Sequence, residues 1–155
     1  MDISILKKVA LFEGLNQAQL LKIAGIATVK SYPASEHIFR EGSGGLAMYI
    51  IVEGKVRISK MVPGIGEEAL AILERGQYFG EMALIEQGPR SADAIAHIEC
   101  KLYEIERDKL DQLMFTDKDL AFVLLWTFVR TLSERLRETN DKIRAFFALS
   151  AFGPK

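Results

Sequence analysis

Phe79-Gly80-Glu81-Met82-Ala83-Leu84-Ile85-Glu86-Gln87-Gly88-Pro89-Arg90-Ser91-Ala92 is the stretch from which the rest of the chain can be read. It sets a carboxylate, a short helix start and an arginine in order within one segment. A buried anion needs a fixed cation and a ring of N–H donors, because an unpaired charge is costly in a low-dielectric pocket. Arg90 offers two parallel donors to two oxygens of a phosphate-like group, a geometry that a lysine ammonium lacks. Residues 81–85 follow a glycine and hold no β-branched side chain before Ile85. That spacing predicts one helical turn whose first N–H groups, around Glu81, Met82 and Ala83, face the same anion. Gly80 lets the backbone come close, and Gly88-Pro89 reads as a turn that brings the chain back. Glu81 is acceptor-only when ionised, so its natural partner is a pair of hydroxyls such as a sugar edge.

Taken singly, these pieces are ordinary: Phe-Gly-Glu ends many strands, and most arginines on strands are solvated. Their order carries the argument, since Arg90 stands nine residues after Glu81 with the glycine, the turn and Gly-Pro in sequence between them. The run closely resembles the phosphate-binding cassette of the cyclic nucleotide-binding domains. These domains occur in catabolite-activator-like bacterial regulators, in regulatory subunits of cyclic-AMP-dependent kinases and in gated channels. The resemblance implies a ribose held by Glu81 and a cyclic phosphate held by Arg90, with Gly80, Met82, Ala83 and Ser91 around them.

Outward from this segment the chain reads as short strands. From Val29 the apolar period is two, with extended runs broken by Pro33 and by Gly42-Ser43-Gly44-Gly45. Met48–Val52, Glu53-Gly54 and Lys55–Ser59 read as a hairpin. Val62-Pro63-Gly64-Ile65-Gly66 reads as a second turn before a strand at Ala69–Leu73, on which Leu70 and Ala71 are candidate pocket-wall residues. Gly64 and Gly66 are not a dinucleotide fingerprint, because no third glycine opens a helix after them. Strands resume at Ser91–His97 and Lys101–Ile105. Short, evenly spaced strands with glycine turns predict a closed antiparallel barrel or jelly roll. The resemblance implies the same: an α+β, mainly β, eight-stranded antiparallel jelly-roll barrel flanked by N-terminal helices and a long C-terminal helix.

The expected layout is one domain over residues 1–155, with the barrel at about 28–106. Leu6–Ala27 reads as two helical pieces with a kink at Leu11–Leu15. Asn16 is a candidate N-cap, and Leu20, Leu21, Ile23, Ala24 and Ala27 form the apolar stripe. A chain of 155 residues buries about two-thirds of its unfolded surface, which suits a single core. Twenty basic and 21 acidic side chains give a net charge of −1, so no overall basic field recruits nucleic acid or an anionic membrane. Cys100 is the single cysteine, which excludes an internal disulfide and a thiolate metal cluster and suits a cytoplasmic setting. The start of the chain, acidic at Asp2, lacks the pattern of a signal peptide. The apolar run Leu120–Val129 is about half a membrane span, so a buried helix segment is expected.

Arg107–Phe115 is expected as a short helix and residues 117–148 as a long one, roughly 45 Å at the standard rise. Thr116 or Asp117 is expected to cap it, and Gly153-Pro154 to stop it. Phe122, Leu125, Val129, Leu132, Leu136, Thr139, Ile143 and Phe146 repeat at alternating three- and four-residue spacing, a heptad seam. Leu124, Trp126 and Phe128 lie off the seam, so the first third of this helix needs cover on more than one side. The barrel is one cover and a second copy the other, which makes a homodimer the expectation; packing on its own barrel alone is the competing reading. Thr139 is the polar residue on the seam and can fix register. The resemblance to the catabolite activator gives Thr139 a second role, contact with the base of the ligand in its own subunit. Asn140 replaces the serine that in that family reaches the base from the partner, and would bring a longer amide to the purine edge.

Thr139 and the resemblance to the catabolite activator together favour cyclic AMP as the ligand, and Ser91, whose hydroxyl suits either a phosphate or a guanine, keeps cyclic GMP open. Asp93 opposes the phosphate if it faces inward and leaves it alone if it faces outward. A scaffold that keeps the fold without ligand is the alternative, motivated by Asp93 and Asn140. His37 and His97 are isolated, which argues against a cupin-type metal enzyme. Haem or iron–sulfur sensing lacks suitable cysteines, and no serine or cysteine nucleophile has a recognisable histidine partner. The expectation is a sensor with neither catalysis, metal nor cofactor, and with no membrane or direct nucleic-acid contact. The chain ends a few residues past the long helix, so it is expected either as a stand-alone sensor or as the sensory fragment of a transcription regulator. Phe146, Phe147, Leu149 and Phe152 form an apolar tail suited to a ligand lid or a partner face.

Overall fold

The computed structural model describes residues 2–151, with side chains through residue 148. The chain opens with α1 (Ile3–Leu6), whose start is capped by Asp2 accepting from the Ser4 N–H at 2.8 Å. A 3-10 turn at Ala10–Phe12 leads to α2 (Gln17–Ile26). Asn16 caps α2 in a full capping box: its side chain accepts from the Gln19 N–H at 2.9 Å, and the Gln19 side chain accepts from the Asn16 N–H at 2.9 Å. Leu20 and Ile23 are buried as the apolar stripe requires, whereas Leu21 is exposed and Ala27 opens the first strand.

Eight strands follow: β1 (Ala27–Tyr32), β2 (His37–Phe39), β3 (Ala47–Glu53), β4 (Lys55–Val62), β5 (Gly66–Glu74), β6 (Tyr78–Phe79), β7 (Asp93–Ala96) and β8 (Cys100–Glu106). They form two four-stranded sheets ordered β1-β8-β3-β6 and β2-β7-β4-β5, and all pairings are antiparallel. This is the eight-stranded jelly roll, flanked by helices at both ends.

The core divides along β3, which is buried on both faces. Ala47, Tyr49 and Ile51 point into the space between the sheets, with Val56, Ala94, Ala96 and Leu102. Met48, Ile50 and Val52 point the other way, into a second core with Ile5, Leu6, Ile23, Leu120, Leu124 and Phe128 from the helices. Two-sided burial explains why β3 reads as an unbroken apolar run.

The expected hairpin between β3 and β4 is corrected by the pairing. β3 bonds to β6 and β8, while β4 bonds to β5 and β7 in the other sheet. Glu53-Gly54 is therefore a corner between sheets. Gly54 has φ of 85°, and a Cβ on it would lie 2.2 Å from the Glu99 carbonyl oxygen, so the corner needs a glycine. The hairpin at Val62–Gly66 forms as expected, with Val62 paired to Gly66.

The chain closes with α3 (Arg107–Thr116) and α4 (Lys118–Ala151). Asp117 caps α4, accepting from the Leu120 N–H at 2.9 Å, and is tied to Lys22 of α2 at 2.6 Å. Leu120, Ala121, Leu124 and Phe128 face the body of the protein. The buried Thr127 hydroxyl donates to the Val123 carbonyl at 2.9 Å and to the Glu13 carbonyl at 3.3 Å. The seam residues Phe122, Leu125, Val129, Leu132, Leu136 and Ile143 are exposed in the single chain. The expected stop at Gly153-Pro154, and Phe152, lie outside the described residues. Among the described residues no helix is long and apolar enough to cross a membrane.

Candidate functional site

β6 ends at Phe79, and Gly80, with a φ of 76°, turns the chain sharply before the next residues. Glu81–Leu84 then form the expected helical turn, of the tight 3-10 kind, with the Ala83 N–H donating to the Gly80 carbonyl at 3.2 Å. The chain returns through Gly88-Pro89 to Arg90, and these pieces enclose a cavity of about 420 Å³. That volume is in the range of small-molecule sites. Ile58, Ala71 and Leu73 form an apolar wall, Phe39, Tyr78 and Phe79 an aromatic one, and residues 80–83, 86 and 88–92 the loop side. Arg135 of α4 completes the lining.

Arg90 is 7% exposed. Its backbone is tied to the loop before β3: its N–H donates to the Ser43 carbonyl at 2.9 Å, and its carbonyl accepts from the Gly42 N–H at 2.8 Å. Nη2 donates to the Ala47 carbonyl at 2.8 Å and Nη1 to the Gly80 carbonyl at 3.2 Å. The guanidinium carbon lies 4.1 Å from the centre of the Phe39 ring. Nε is buried and has no hydrogen-bond partner among the described residues. Burial pushes the guanidinium below its ordinary pKa, against the opposing pull of Tyr49, Glu104 and Glu81. Arginine's very high reference value still keeps it cationic. Among the described residues no carboxylate forms an ion pair with it, so an incoming anion meets an unneutralised charge.

Glu81 is also buried, at 7% exposure, and its Oε1 pairs with Nη1 of Arg135. Burial works against the charge of Arg135, but the neighbouring Glu81 outweighs it and raises the guanidinium pKa. The Arg135 guanidinium also lies 5.9 Å from the Tyr78 ring centre. Burial likewise raises the Tyr78 phenol. The ion pair leaves Glu81 with acceptor capacity for a hydroxyl, since a carboxylate has about four lone-pair sites.

Gly80, Glu81, Met82, Ala83, Arg90, Ser91 and Ala71 all line this one cavity. Leu70 does not: β4 and β5 pair Ile58 with Ala71 and Ser59 with Ala69, so Leu70 is the extra residue of a bulge, and it is exposed. Thr139 and Asn140 lie on the exposed stretch of α4, outside the lining, and the Thr139 hydroxyl donates to the Arg135 carbonyl at 2.8 Å. Asp93 also stays out of the lining. Its Oδ1 accepts from the Glu41 N–H at 2.6 Å, the outward alternative of the two open in the sequence. Sequence reasoning missed Phe39, Tyr78 and Arg135. The available signal for Arg135 was its place one helical turn before Thr139 on the same face. Among the described residues no three histidine, cysteine or acidic side chains gather to hold a metal.

Residues 29–117 match the family described as the cyclic nucleotide-binding domain. The chain is 29% identical over 139 residues to the CRP-like cAMP-activated global transcriptional regulator of Mycobacterium tuberculosis, covering 90% of this chain and 60% of the relative. It is 36% identical over 118 residues to cGMP-dependent protein kinase, isozyme 1, of Drosophila melanogaster, covering 73% of this chain and 15% of the kinase. The chain thus spans 60% of the length of the first of these relatives and 15% of the second. Among solved structures, the N-terminal domain of a transcriptional regulator from Streptomyces coelicolor superposes with a TM-score of 0.79 at 29% identity, covering 90% of this chain and 94% of that one. With its jelly roll and the match across the strands, the chain belongs to the cyclic nucleotide-binding domain family.

Proposed function

We propose that this protein is a sensor that binds cyclic AMP in the cavity beneath α4, without catalysis, and that it works in the cytoplasm as a homodimer joined through α4. The observation that carries the reading is Arg90: a buried cation on the cavity wall that forms no ion pair with an acid among the described residues, in the same lining as the buried carboxylate of Glu81. A cyclic phosphodiester has one negative charge, which Arg90 and the neighbouring N–H groups meet. The ribose hydroxyl donates to Glu81, and Ile58, Ala71 and Leu73 pack against the apolar faces of the nucleotide. Arg135 joins α4 to the ribose-binding carboxylate, so occupancy of the cavity and the seating of α4 are linked through one ion pair.

Dimerisation is supported by the exposed seam from Phe122 to Ile143, which a second copy would cover with knobs-into-holes packing. In that arrangement Thr139 and Asn140 come to the base from α4 and its partner. Cyclic AMP is favoured by the likeness to a regulator named as cAMP-activated. Cyclic GMP is the second reading, favoured by the Ser91 hydroxyl at the cavity and by the likeness to a cGMP-dependent kinase. A stand-alone sensor and the sensory part of a longer regulator both use the same site.

A thermal-shift series with cyclic AMP, cyclic GMP and 5′-AMP tests the reading. Ligand at a hundredfold excess over Kd stabilises the folded state by about 2.7 kcal/mol. The account expects the largest shift with cyclic AMP and the least with 5′-AMP. A larger shift with cyclic GMP selects the second reading, and no shift with either cyclic nucleotide leaves the ligand-free scaffold.

A further inference from the structure

Among the described residues, the groups in direct contact with the Arg90 guanidinium are neutral, and Glu81 and Glu104 act on it only through space. Its ends donate to the Ala47 and Gly80 carbonyls, and Phe39 lies against its face at 4.1 Å. Two glycines make room for it. A Cβ on Gly45 would stand 2.5 Å from Nε and 2.6 Å from Nη2, and one on Gly80 would stand 2.8 Å from Nη1. The slot is therefore narrow, with the Phe39 ring against the guanidinium face, the Tyr49 ring farther off at 5.9 Å, and the bare backbone of Gly45 and Gly80 at its edges. Phe39 is itself braced by Tyr49 at 6.0 Å and Phe79 at 5.8 Å between ring centres.

An arginine side chain has several rotatable bonds, and in an empty cavity some partner must hold it where the anion will arrive. A carboxylate could do this, but it would neutralise the charge and compete with the ligand. An aromatic face attracts the cation through its quadrupole and leaves the net charge intact. We infer that Phe39 is a positioning residue for ligand affinity: its ring presses the Arg90 guanidinium into the slot lined by Gly45 and Gly80, ready for the phosphodiester. This rests on the cyclic nucleotide reading of the cavity.

The test is calorimetric titration of cyclic AMP, and in parallel cyclic GMP, into the wild type, Phe39→Leu, Phe39→Tyr, Gly45→Ala, Arg90→Lys and the Phe39→Leu/Arg90→Lys double variant. Unfolding curves of each variant give the structural cost separately. Leucine keeps the apolar bulk and loses the π face, so Phe39→Leu should weaken binding about five- to thirtyfold. Phe39→Tyr should stay within about twofold of wild type, because the face is kept. In the Arg90→Lys background the loss from Phe39→Leu should be smaller, because an ammonium keeps the attraction to the ring but loses the planar stacking that holds a guanidinium in the slot. Gly45→Ala leaves the aromatic cluster untouched and should cost tenfold or more by displacing Arg90. Binding by Phe39→Leu within about twofold of wild type, or an equal loss in both backgrounds, overturns the inference and leaves the ligand reading standing. Failure of the wild type to bind either cyclic nucleotide overturns both.

Discussion

Replacing Arg135 by alanine removes the ion pair that joins α4 to Glu81 at the cavity. In the intact pair the Glu81 side chain is 9% exposed and the Arg135 side chain 48%. Stranding a fully buried charge costs about 3–5 kcal/mol, and a fully exposed pair contributes about 0.2–1 kcal/mol. With one partner buried and the other half in water, the cost should fall between these limits, at about 1–2 kcal/mol. For a domain of this size that is a drop in Tm of about 2–8 °C. Urea unfolding of the wild type, Glu81→Gln, Arg135→Ala and the double variant isolates the pair. Arg135→Ala should cost much less in the Glu81→Gln background, giving a coupling near 1 kcal/mol or above. Stability of Arg135→Ala within about 0.3 kcal/mol of wild type, or simple additivity in the cycle, would refute the claim that this pair fastens α4.

Gly54→Ala should destabilise by about 2–5 kcal/mol in urea unfolding, since it combines a left-handed backbone with a methyl 2.2 Å from the Glu99 carbonyl; a loss below about 1 kcal/mol would contradict the corner geometry. Leu136→Glu puts a charge on the exposed seam, so light scattering should report a dimer for the wild type, as proposed, and a monomer for the variant, with little change in single-chain stability. The Asp117 carboxyl is held below its ordinary pKa, first by the hydrogen bond from Lys22 and then by the Leu120 N–H. Its stabilising effect is therefore present above the unfolded value near 4 and is lost as pH falls through the lower folded value. The gap in urea midpoint between wild type and Asp117→Ala should be constant from about pH 7 to pH 5 and should close in stronger acid; a gap that widens on acidification would refute it.

What could be read from the residues was mostly local. Asn16 with Gln19 signals a helix start because both hydrogen bonds are made within one turn. Glu81, Gly80 and Arg90 could be read together because one short loop carries them to one cavity. The β3–β4 junction misled because Glu53-Gly54 looks like a hairpin turn, while the cause of the corner lies far along the chain, at Glu99 and Cys100 against Gly54. Arg135 and Phe39 escaped for the same reason. Arg135 reaches Glu81 across 54 residues, and its direction is set by how α4 lies on the barrel. Phe39 looks like any strand aromatic until Arg90 folds against it. The heptad seam was legible as a period, and the fold adds that its apolar face is left uncovered by its own barrel.

The claim at the centre is that one cavity takes a cyclic nucleotide through Arg90 and Glu81. Calorimetric titration of cyclic AMP and cyclic GMP into the wild type and into Arg90→Ala, with circular dichroism to verify the fold, tests it most directly. The account predicts one site per chain in the wild type and a loss of about two to four decades in affinity in Arg90→Ala at unchanged fold. Equal affinity in the two proteins would contradict it.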